Sequence, residues 1–237
     1  MALSTLDNFY IGTYGPEGLN ILHNFYPLNE TSGSAIDQIN ANNCSFSSVT
    51  QGVAGFLPAP DGDTCYTSSG TNYGVTAEFT PYPLSWECWM EPSSINVCAI
   101  ITQGAPGIYL GLTGGGYIQL NNLAGGANTI WGGGVTPIGG GSPLHLVMTT
   151  DGSSTAANTK AYLNGTLLTQ SQFVQPQAFT SPIGVLMNYS GASVTAFQGK
   201  LAKMAMYSAI LTQAQVTANY NAGLDGIGRS GFFFAGL

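Results

Sequence analysis

The stretch LHLVMTTDGSSTAANTKAYLNGTLL, residues 144–168, alternates apolar and polar side chains and then turns back on itself. Leu146 and Met148 fall on one side of an extended chain, because successive side chains of a β-strand point to opposite faces. Asn164 and Gly165 form the residue pair that most strongly favours a type I′ turn between two strands. The stretch therefore predicts an antiparallel hairpin with one face in a hydrophobic core.

A second strand with the same alternation is predicted at LSWECWMEP, residues 84–92. One face carries three apolar side chains: Trp86, Cys88 and Met90. The opposite face carries Glu87, Trp89 and Glu91, a mixture that is typical of a sheet surface partly open to solvent. We expect Glu87 and Glu91 to be solvated carboxylates on either side of Trp89.

The composition favours an all-β domain. The chain has 237 residues, of which 33 are glycine and only 6% are charged. Short apolar runs between Gly, Pro, Asn and Ser clusters are what a sandwich or barrel requires, whereas a helical bundle needs far more charged residues and alanine. We predict an antiparallel jelly-roll sandwich over residues 20–224, flanked by extended terminal arms: an irregular N-terminal arm, residues 1–19, and a hydrophobic C-terminal tail, residues 225–237.

One short helix is predicted near the end of the chain, at LTQAQVTANYNAG, residues 211–223. Thr212 fits the N-cap position, and Gln215 three residues later completes a capping box. Val216 and Tyr220 then share one helix face. Gly223 is expected to end the helix in the left-handed conformation.

Five blocks of the sequence, in order, resemble the laminin-G-like jelly rolls of the concanavalin-A-like lectin and glucanase superfamily. The blocks are FYPLNETSGSAIDQINANN (25–43), APDGDTCYTSSG (59–70), PLSWECWMEP (83–92), the hairpin stretch of residues 144–168, and FQGKLAKMAMYSAILTQAQVTANYNAGL (197–224). The resemblance implies two curved antiparallel sheets packed as a sandwich. It implies no single activity, because the family includes glycan binders, adhesion modules, glycosidases and virion proteins.

Calcium is the one cofactor that the resemblance suggests. The family brings several loops to one rim, and in this chain those loops carry oxygen donors of the kind that Ca²⁺ prefers. These residues are Glu30, Asp37, Asn40, Asp61 and Asp63. Many relatives have an acidic pair where this chain has Ala202 and Lys203, and Asp and Asn in loops are commonly turn formers. We therefore expect neither a metal nor another cofactor.

Carboxylate spacing argues against a glycosidase. At about 3.3 Å per residue, the Cα atoms of Glu87 and Glu91 lie ~13 Å apart. Retaining enzymes place their two carboxyl groups about 5 to 5.5 Å apart and inverting enzymes about 6.5 to 9.5 Å apart. His145 occupies an ordinary strand position, where we expect a framework role. We predict no enzymatic activity and no catalytic residues.

Aromatic side chains supply a glycan-binding hypothesis. Tyrosine and tryptophan rings can stack on sugars if they line an open sheet face. The candidates that we single out for this role are Trp89 and Trp131, and Tyr109 and Tyr117 are further possibilities.

Charge and hydropathy limit the partners. The formal net charge is −7, and the basic residues are only four: Lys160, Lys200, Lys203 and Arg229. This supply is too small to neutralise a nucleic-acid backbone. The sequence shows neither a secretion signal nor an apolar run of about 18 residues that could span a bilayer, so we expect synthesis in a host cytoplasm and no membrane partner. The cysteines, at 44, 65, 88 and 98, lack metal or redox spacing and are expected to be buried thiols.

The chain ends suggest assembly. Burial of each phenylalanine in the tail would contribute roughly 1.5 to 3 kcal/mol, either on the chain's own sandwich or on another chain. The residues that we predict to contact partners are Phe232, Phe233, Phe234, Phe9, Tyr10 and Tyr14. Our first hypothesis is a virion structural protein, a capsid decoration or cement protein of a phage-type particle that binds copies of itself and a capsid protein. The alternative is a lectin-like module of a tail or fibre that recognises host polysaccharide.

Overall fold

The computed structural model describes residues 3–57, 64–69, 73–75, 82–94, 96–104, 107–122, 127–132, 143–176, 183–185 and 195–224. These residues form two β-sheets packed face to face and two α-helices. The predicted all-β jelly-roll sandwich is therefore confirmed. Among the described residues, neither helix has the length and apolarity needed to cross a bilayer.

The elements, in chain order, are the following. They are α1 (Thr5–Tyr14), β1 (Leu22–Tyr26), β2 (Ser45–Ser47), β3 (Thr50–Ala54), β4 (Thr64–Ser69), β5 (Tyr73–Val75), β6 (Leu84–Pro92), β7 (Cys98–Gly104), β8 (Gly107–Leu112), β9 (Ile118–Asn122), β10 (Ala127–Trp131), β11 (Leu144–Thr150), a 3-10 turn (Ala156–Asn158), β12 (Lys160–Leu163), β13 (Thr166–Leu167), β14 (Gln170–Gln172), β15 (Ile183–Val185), β16 (Thr195–Ala196), β17 (Gln198–Tyr207) and α2 (Gln213–Leu224).

The first sheet has the strand order β13-β12-β11-β6-β17-β4-β3, with β1 also paired to β17. The second sheet has the order β14-β10-β9-β8-β7-β15-β5-β2. All of these pairings are antiparallel, and β16 adds a parallel pairing to β7. The middle of the first sheet is formed by β11, β6 and β17, which come from distant parts of the chain.

The core between the sheets is formed by the apolar faces that the alternation predicts. Trp86, Cys88 and Met90 of β6 are fully buried there and meet residues of the second sheet such as Leu110 and Ile118. The hairpin is also confirmed: β12 and β13 pair across Asn164 and Gly165, which have φ angles of 50° and 75°. All four cysteines are free thiols and buried, as expected.

Helix α2 begins as predicted and ends differently. The Thr212 backbone N–H donates to Gln215 Oε1 (2.8 Å), and the Gln215 N–H donates to Thr212 Oγ1 (3.3 Å), which completes the capping box. Gly223 lies inside the helix, so the predicted left-handed stop at this residue is wrong. A Cβ atom on Gly223 would lie 2.0 Å from Cζ2 of Trp89. Glycine is needed here because the helix backbone contacts the indole ring directly.

The irregular N-terminal arm predicted for residues 1–19 is corrected by the structure, which contains the ten-residue helix α1. Ser4 is the N-cap, and Asp7 reciprocates in a capping box. Leu6, Tyr10 and Tyr14 follow at helical spacing and are buried. The prediction of an irregular arm overlooked the Ser4–Asp7 capping box, because Asp stands where a capping box more commonly has Glu or Gln.

Helices α1 and α2 cover the outer face of the first sheet. Their buried side chains form a second apolar cluster with outward-facing residues of the sheet, including Val147, Ala205 and Tyr207. The prediction that this face is partly open to solvent is therefore wrong. The central strands of the first sheet, β6, β11 and β17, are buried on both faces over most of their length, which leaves little room there for an accessible site.

Candidate functional site

The centre of the covered face is a buried carboxylate, Glu87, which is 0% exposed. Its Oε1 atom accepts from the Tyr10 hydroxyl and contacts His145 Nε2 at 2.7 Å. Its Oε2 atom accepts from the Tyr207 hydroxyl (2.8 Å) and from Asn219 Nδ2 (2.8 Å). The prediction that Glu87 is solvated is wrong, because α1 and α2 close over it.

The electrostatics of this cluster keep Glu87 ionised. Burial by itself raises the pKa of Glu87, but the His145 charge and the hydrogen bonds from His145, Tyr10 and Tyr207 outweigh burial and hold the pKa below its ordinary value. Burial and the neighbouring carboxylate raise the pKa of Tyr10 and of Tyr207, so both remain hydrogen-bond donors. A carboxylate has about four acceptor sites, and four donors use them here. The arrangement fixes the two helices to the sheet.

The tryptophans proposed for glycan binding are both buried. Trp89 lies beside the His145 ring (4.7 Å between centroids) and is stacked on Tyr220 (5.9 Å), and its Nε1 donates to the Tyr10 hydroxyl. Trp131 belongs to the core between the sheets. At 0% and 1% exposure, neither ring can stack on a sugar, which corrects the prediction. The helices cover Trp89, and the strand alternation turns Trp131 inward.

The aromatic residues of α1 contact their own sheet. The Tyr14 hydroxyl donates to Asn219 Oδ1 of α2 (2.6 Å), and Tyr10 contacts Glu87. Phe9 is half-buried and packs edge-on against both tyrosines. The predicted partner-contact role of Tyr10 and Tyr14 is therefore corrected. The tail residues Phe232, Phe233 and Phe234 lie outside the described residues.

The loop carboxylates considered for calcium are occupied by protein donors. Asp37 accepts from Asn24 Nδ2 and from four backbone N–H groups, those of Phe25, Ile39, Asn40 and Asn42. Glu30 accepts from the Ile36 N–H (2.9 Å) and the Tyr66 hydroxyl (2.7 Å). Asp61 and Asp63 lie outside the described residues. Within the described ranges, no group of three or more His, Cys, Asp or Glu side chains is placed to hold a metal ion.

The outer face of the second sheet presents a different surface, which we call the tyrosine–amide face. On β9 the side chains of Gln119 and Asn121 point away from the core, because Ile118 and Leu120 point into it. The pairing register places Asn121 between Tyr109 of β8 and Asn128 of β10. It places Gln119 between Gly111 and Ile130. The face is defined by Tyr109, Tyr117, Gln119, Asn121, Asn128 and Ile130.

Hydrogen bonds connect the side chains of this face. Gln119 Nε2 donates to the Tyr109 hydroxyl (3.1 Å) and to the Leu112 carbonyl (2.9 Å), and Gln119 Oε1 accepts from Asn128 Nδ2 (3.1 Å). Burial raises the pKa of Tyr109 to about 12, so its hydroxyl is protonated at neutral pH. Tyr109 and Gln119 are buried, whereas Asn121, Asn128 and Ile130 are half-buried. The buried pair thus supports the polar groups nearer the surface.

Tyr117 is the exposed aromatic residue of the face, with 43% of its surface accessible. A Cβ atom on Gly132 would lie 2.1 Å from Cδ1 of the ring, and one on Gly115 would lie 3.2 Å from Cε2. The ring therefore lies against backbone that only glycine provides. The turn before it is fixed by Thr113, whose Oγ1 accepts from the Tyr117 N–H (3.1 Å). The exposure of Tyr117 depends on the tertiary fold, so the sequence alone does not distinguish it from the other candidate aromatic residues.

The second sheet is built from uncharged strands over the part of the chain that the structure describes. None of the strands that the structure describes in the second sheet contains Asp, Glu, Lys or Arg. The sequence has no such residue from Pro92 to Thr150. The tyrosine–amide face can therefore form hydrogen bonds and aromatic contacts but no ion pair with its own strands.

Comparison with known proteins agrees with this architecture. A laminin-G family of the concanavalin A-like lectin/glucanases superfamily matches residues 64–217. Because that match covers more than half of the 237 residues, the chain belongs to this superfamily. Among curated proteins, none matches the chain.

Several solved structures are similar at low sequence identity. Domain 4 of AbnA, a GH43 extracellular arabinanase from Geobacillus stearothermophilus determined with arabinotriose, has a TM-score of 0.58 at 17% identity, and the alignment covers 84% of this chain and 98% of that domain. The binding domain of botulinum neurotoxin serotype D has a TM-score of 0.60 at 12% identity, with 85% of this chain and 51% of that chain covered. Trypanosoma rangeli sialidase has a TM-score of 0.60 at 11% identity, with 88% and 34% covered. At these identities the likenesses show the fold alone.

Proposed function

We propose that this chain is a non-enzymatic carbohydrate-binding module whose binding surface is the tyrosine–amide face. The observation that carries the proposal is the exposed Tyr117 ring, held against Gly132 and Gly115 on the same sheet face as the Asn121 and Asn128 amides, which lie about 13 Å further along the strands. A ring with restricted motion loses little conformational entropy when a ligand stacks on it. The face therefore offers a binding surface that needs little rearrangement.

The chemistry of the face suits a sugar. One side of a sugar ring is lined by C–H groups and packs against an aromatic face, while its hydroxyl groups both donate and accept hydrogen bonds. Each Asn or Gln amide supplies donors and an acceptor. Tyr117, with Asn121 and Asn128 further along the same face, thus offers the apolar and polar contacts that an oligosaccharide spanning the face would use.

The similar structures support a binding role. Domain 4 of the arabinanase was determined with arabinotriose bound, and another structure of similar fold is a toxin binding domain. Neither likeness assigns a ligand to this chain, so the proposal depends on the tyrosine–amide face itself. The non-enzymatic part of the proposal is supported by Glu87, a buried carboxylate whose acceptor sites are all used by its own fold.

A glycan-binding assay with paired variants tests the proposal. We expect the full-length protein to bind at least one polysaccharide in affinity electrophoresis or calorimetry. Tyr117→Ala should weaken this binding by about fivefold to tenfold, because stacking on an aromatic ring contributes about 1 to 1.5 kcal/mol. Gly132→Ala should also weaken binding, because its Cβ would displace the Tyr117 ring.

Two control variants separate this effect from a general loss of structure. A Cβ on Gly114 would meet only Val97 Cγ2, at an ordinary 3.7 Å, so Gly114→Ala should bind normally. Leu167→Ala removes an exposed apolar side chain on β13 of the first sheet and should also bind normally. A protein that binds no glycan in a broad panel, or whose binding is equal in Tyr117→Ala and wild type, would overturn the proposal.

A second proposal is assembly into a phage-type virion as a capsid decoration protein. It is supported by the sequence of the tail, with Phe232, Phe233 and Phe234 in succession, and by the 6% charged composition. Deletion of residues 225–237 should abolish incorporation into particles while glycan binding persists. Normal incorporation of the truncated protein would contradict this role.

A further inference from the structure

We infer that the ligand of the tyrosine–amide face is a neutral glycan, and that glycans carrying carboxylate or sulfate groups are excluded. This inference rests on the proposed function and adds the chemical class of the ligand. It is carried by the way charge is divided between the two sheets of the sandwich.

The basic side chains of the described residues all belong to the first sheet. Lys160 lies on β12, and Lys200 and Lys203 lie on β17. Lys203 is buried and its Nζ lies 2.9 Å from Asp7 Oδ1 of α1. Lys200 Nζ lies 3.8 Å from Glu91 Oε2. None of these cations lies on a strand that contributes to the tyrosine–amide face.

An anionic sugar would therefore lose hydration without gaining an ion pair. Transfer of a carboxylate from water onto a surface that supplies no opposite charge is unfavourable. The net charge of −7 adds long-range repulsion of an anion. Sites that recognise carboxylate or phosphate groups are enriched in Arg and Lys, and the strands of this face have neither.

Neutral hydroxyl groups match what the face provides. The half-buried Asn121 and Asn128 side chains carry amide groups, and an amide offers both donors and an acceptor. A sugar hydroxyl both donates and accepts, whereas a carboxylate or sulfate has only acceptors to offer. The surface amides therefore suit a hydroxyl-rich, uncharged ligand.

Matched ligand pairs test the inference with the full-length protein. We would measure affinity for arabinan, galactan and xylan against polygalacturonate, alginate and sulfated galactan, and for desialylated against sialylated oligosaccharides. We expect each neutral glycan that binds to do so at least about tenfold more tightly than its anionic counterpart. Affinity for the neutral ligand should be unchanged as the salt concentration rises, because no ion pair is screened.

The outcomes distinguish failure of the neutral-ligand inference from failure of the proposed carbohydrate-binding function. Preference for neutral ligands, lost in Tyr117→Ala and kept in Leu167→Ala, supports the inference. Equal or tighter binding of an anionic glycan at the Tyr117 surface would overturn the neutral class while leaving the carbohydrate-binding function in place. Binding of no glycan in either set would overturn the proposed function, and binding that weakens steeply with salt would overturn the neutral class alone.

Discussion

The Tyr10 hydroxyl of α1 donates a hydrogen bond to the Glu87 carboxylate of β6, 77 residues further along the chain, and both side chains are fully buried. This contact joins a helix near the start of the chain to the middle of the first sheet. Asn219 of α2 donates to the same carboxylate. One buried anion therefore holds both helices over the sheet and closes that face to ligands.

Replacement of Glu87 by glutamine should destabilise the fold strongly. Four donors converge on the two carboxylate oxygens, and an amide would replace one acceptor by another donor. Removal of one member of a buried charged network costs about 3 kcal/mol or more. Urea denaturation would measure this loss. Glu91→Gln is the control: Glu91 is partly exposed and 3.8 Å from Lys200, so its loss should change the free energy of unfolding by less than about 1 kcal/mol.

Acid sensitivity should also depend on Glu87. The pKa of this carboxyl is lowered in the folded protein, whereas in the unfolded chain it lies at about 4.3. The ionised group therefore contributes its full stabilisation above about pH 4.3, and this contribution is lost as the pH falls through the lower pKa of the folded state. The stability difference between wild type and Glu87→Gln should shrink below about pH 4.3. A difference that stays constant across this range would contradict the ionised state of Glu87.

The hydroxyl groups of the two tyrosines of α1, Tyr10 and Tyr14, should contribute differently to the free energy of unfolding. Tyr10→Phe removes a hydrogen bond to a charged group and should cost about 1.5 to 3 kcal/mol, whereas Tyr14→Phe removes a bond to the neutral Asn219 and should cost about 1 kcal/mol. Chemical denaturation would measure both, and amide hydrogen exchange would show whether α1 loses protection first. Tyr162→Phe is the control, since the Tyr162 hydroxyl forms no hydrogen bond with the residues that the structure describes. Equal losses in Tyr10→Phe and Tyr162→Phe would refute the anchoring role.

Replacement of a helical glycine by alanine should have opposite effects on stability at two positions, Gly223 and Gly12. Gly223→Ala places a Cβ atom 2.0 Å from the Trp89 ring, and such overpacking costs about 1 to 3 kcal/mol despite the better helix propensity of alanine. Gly12 of α1 is exposed and has nothing within 4 Å of the added atom, so Gly12→Ala should stabilise the protein by about 0.5 to 1 kcal/mol. Thermal melting of both variants checks the pair. A stabilised Gly223→Ala protein would mean that α2 does not contact Trp89 in this way.

The thiols should be inert in the folded protein. Burial raises the pKa of Cys44 to about 12 and that of Cys98 to about 11, and it also raises the pKa of Cys88. The thiolate is the nucleophile that attacks a thiol reagent, so a colorimetric thiol assay at mildly alkaline pH should detect almost no reaction before denaturation and four thiols after it. Rapid native labelling of any of the four would show that its part of the core opens.

Local patterns in the sequence are enough to predict the elements that depend on neighbouring residues. The alternation through Trp86, Cys88 and Met90 identifies a core strand, and Asn164 with Gly165 identifies the hairpin turn, because strand periodicity and turn dihedrals involve only adjacent positions. Thr212 and Gln215 identify the start of α2 for the same reason. These predictions hold in the structure.

Exposure is decided by the tertiary structure. Glu87 and Trp89 occupy the strand face that alternation assigns to solvent, yet helices from both ends of the described chain cover them. Tyr117 is exposed because neither of the two described helices covers its ring, and Gly132 lies beside it only through the pairing of β9 with β10. The strand at residues 84–92 and the hairpin within residues 144–168 follow from local periodicity and turn preference, and the sandwich class follows from composition and the family resemblance. Which face is closed depends on the tertiary structure, because covering a face requires contacts between residues as far apart as Glu87 and Asn219.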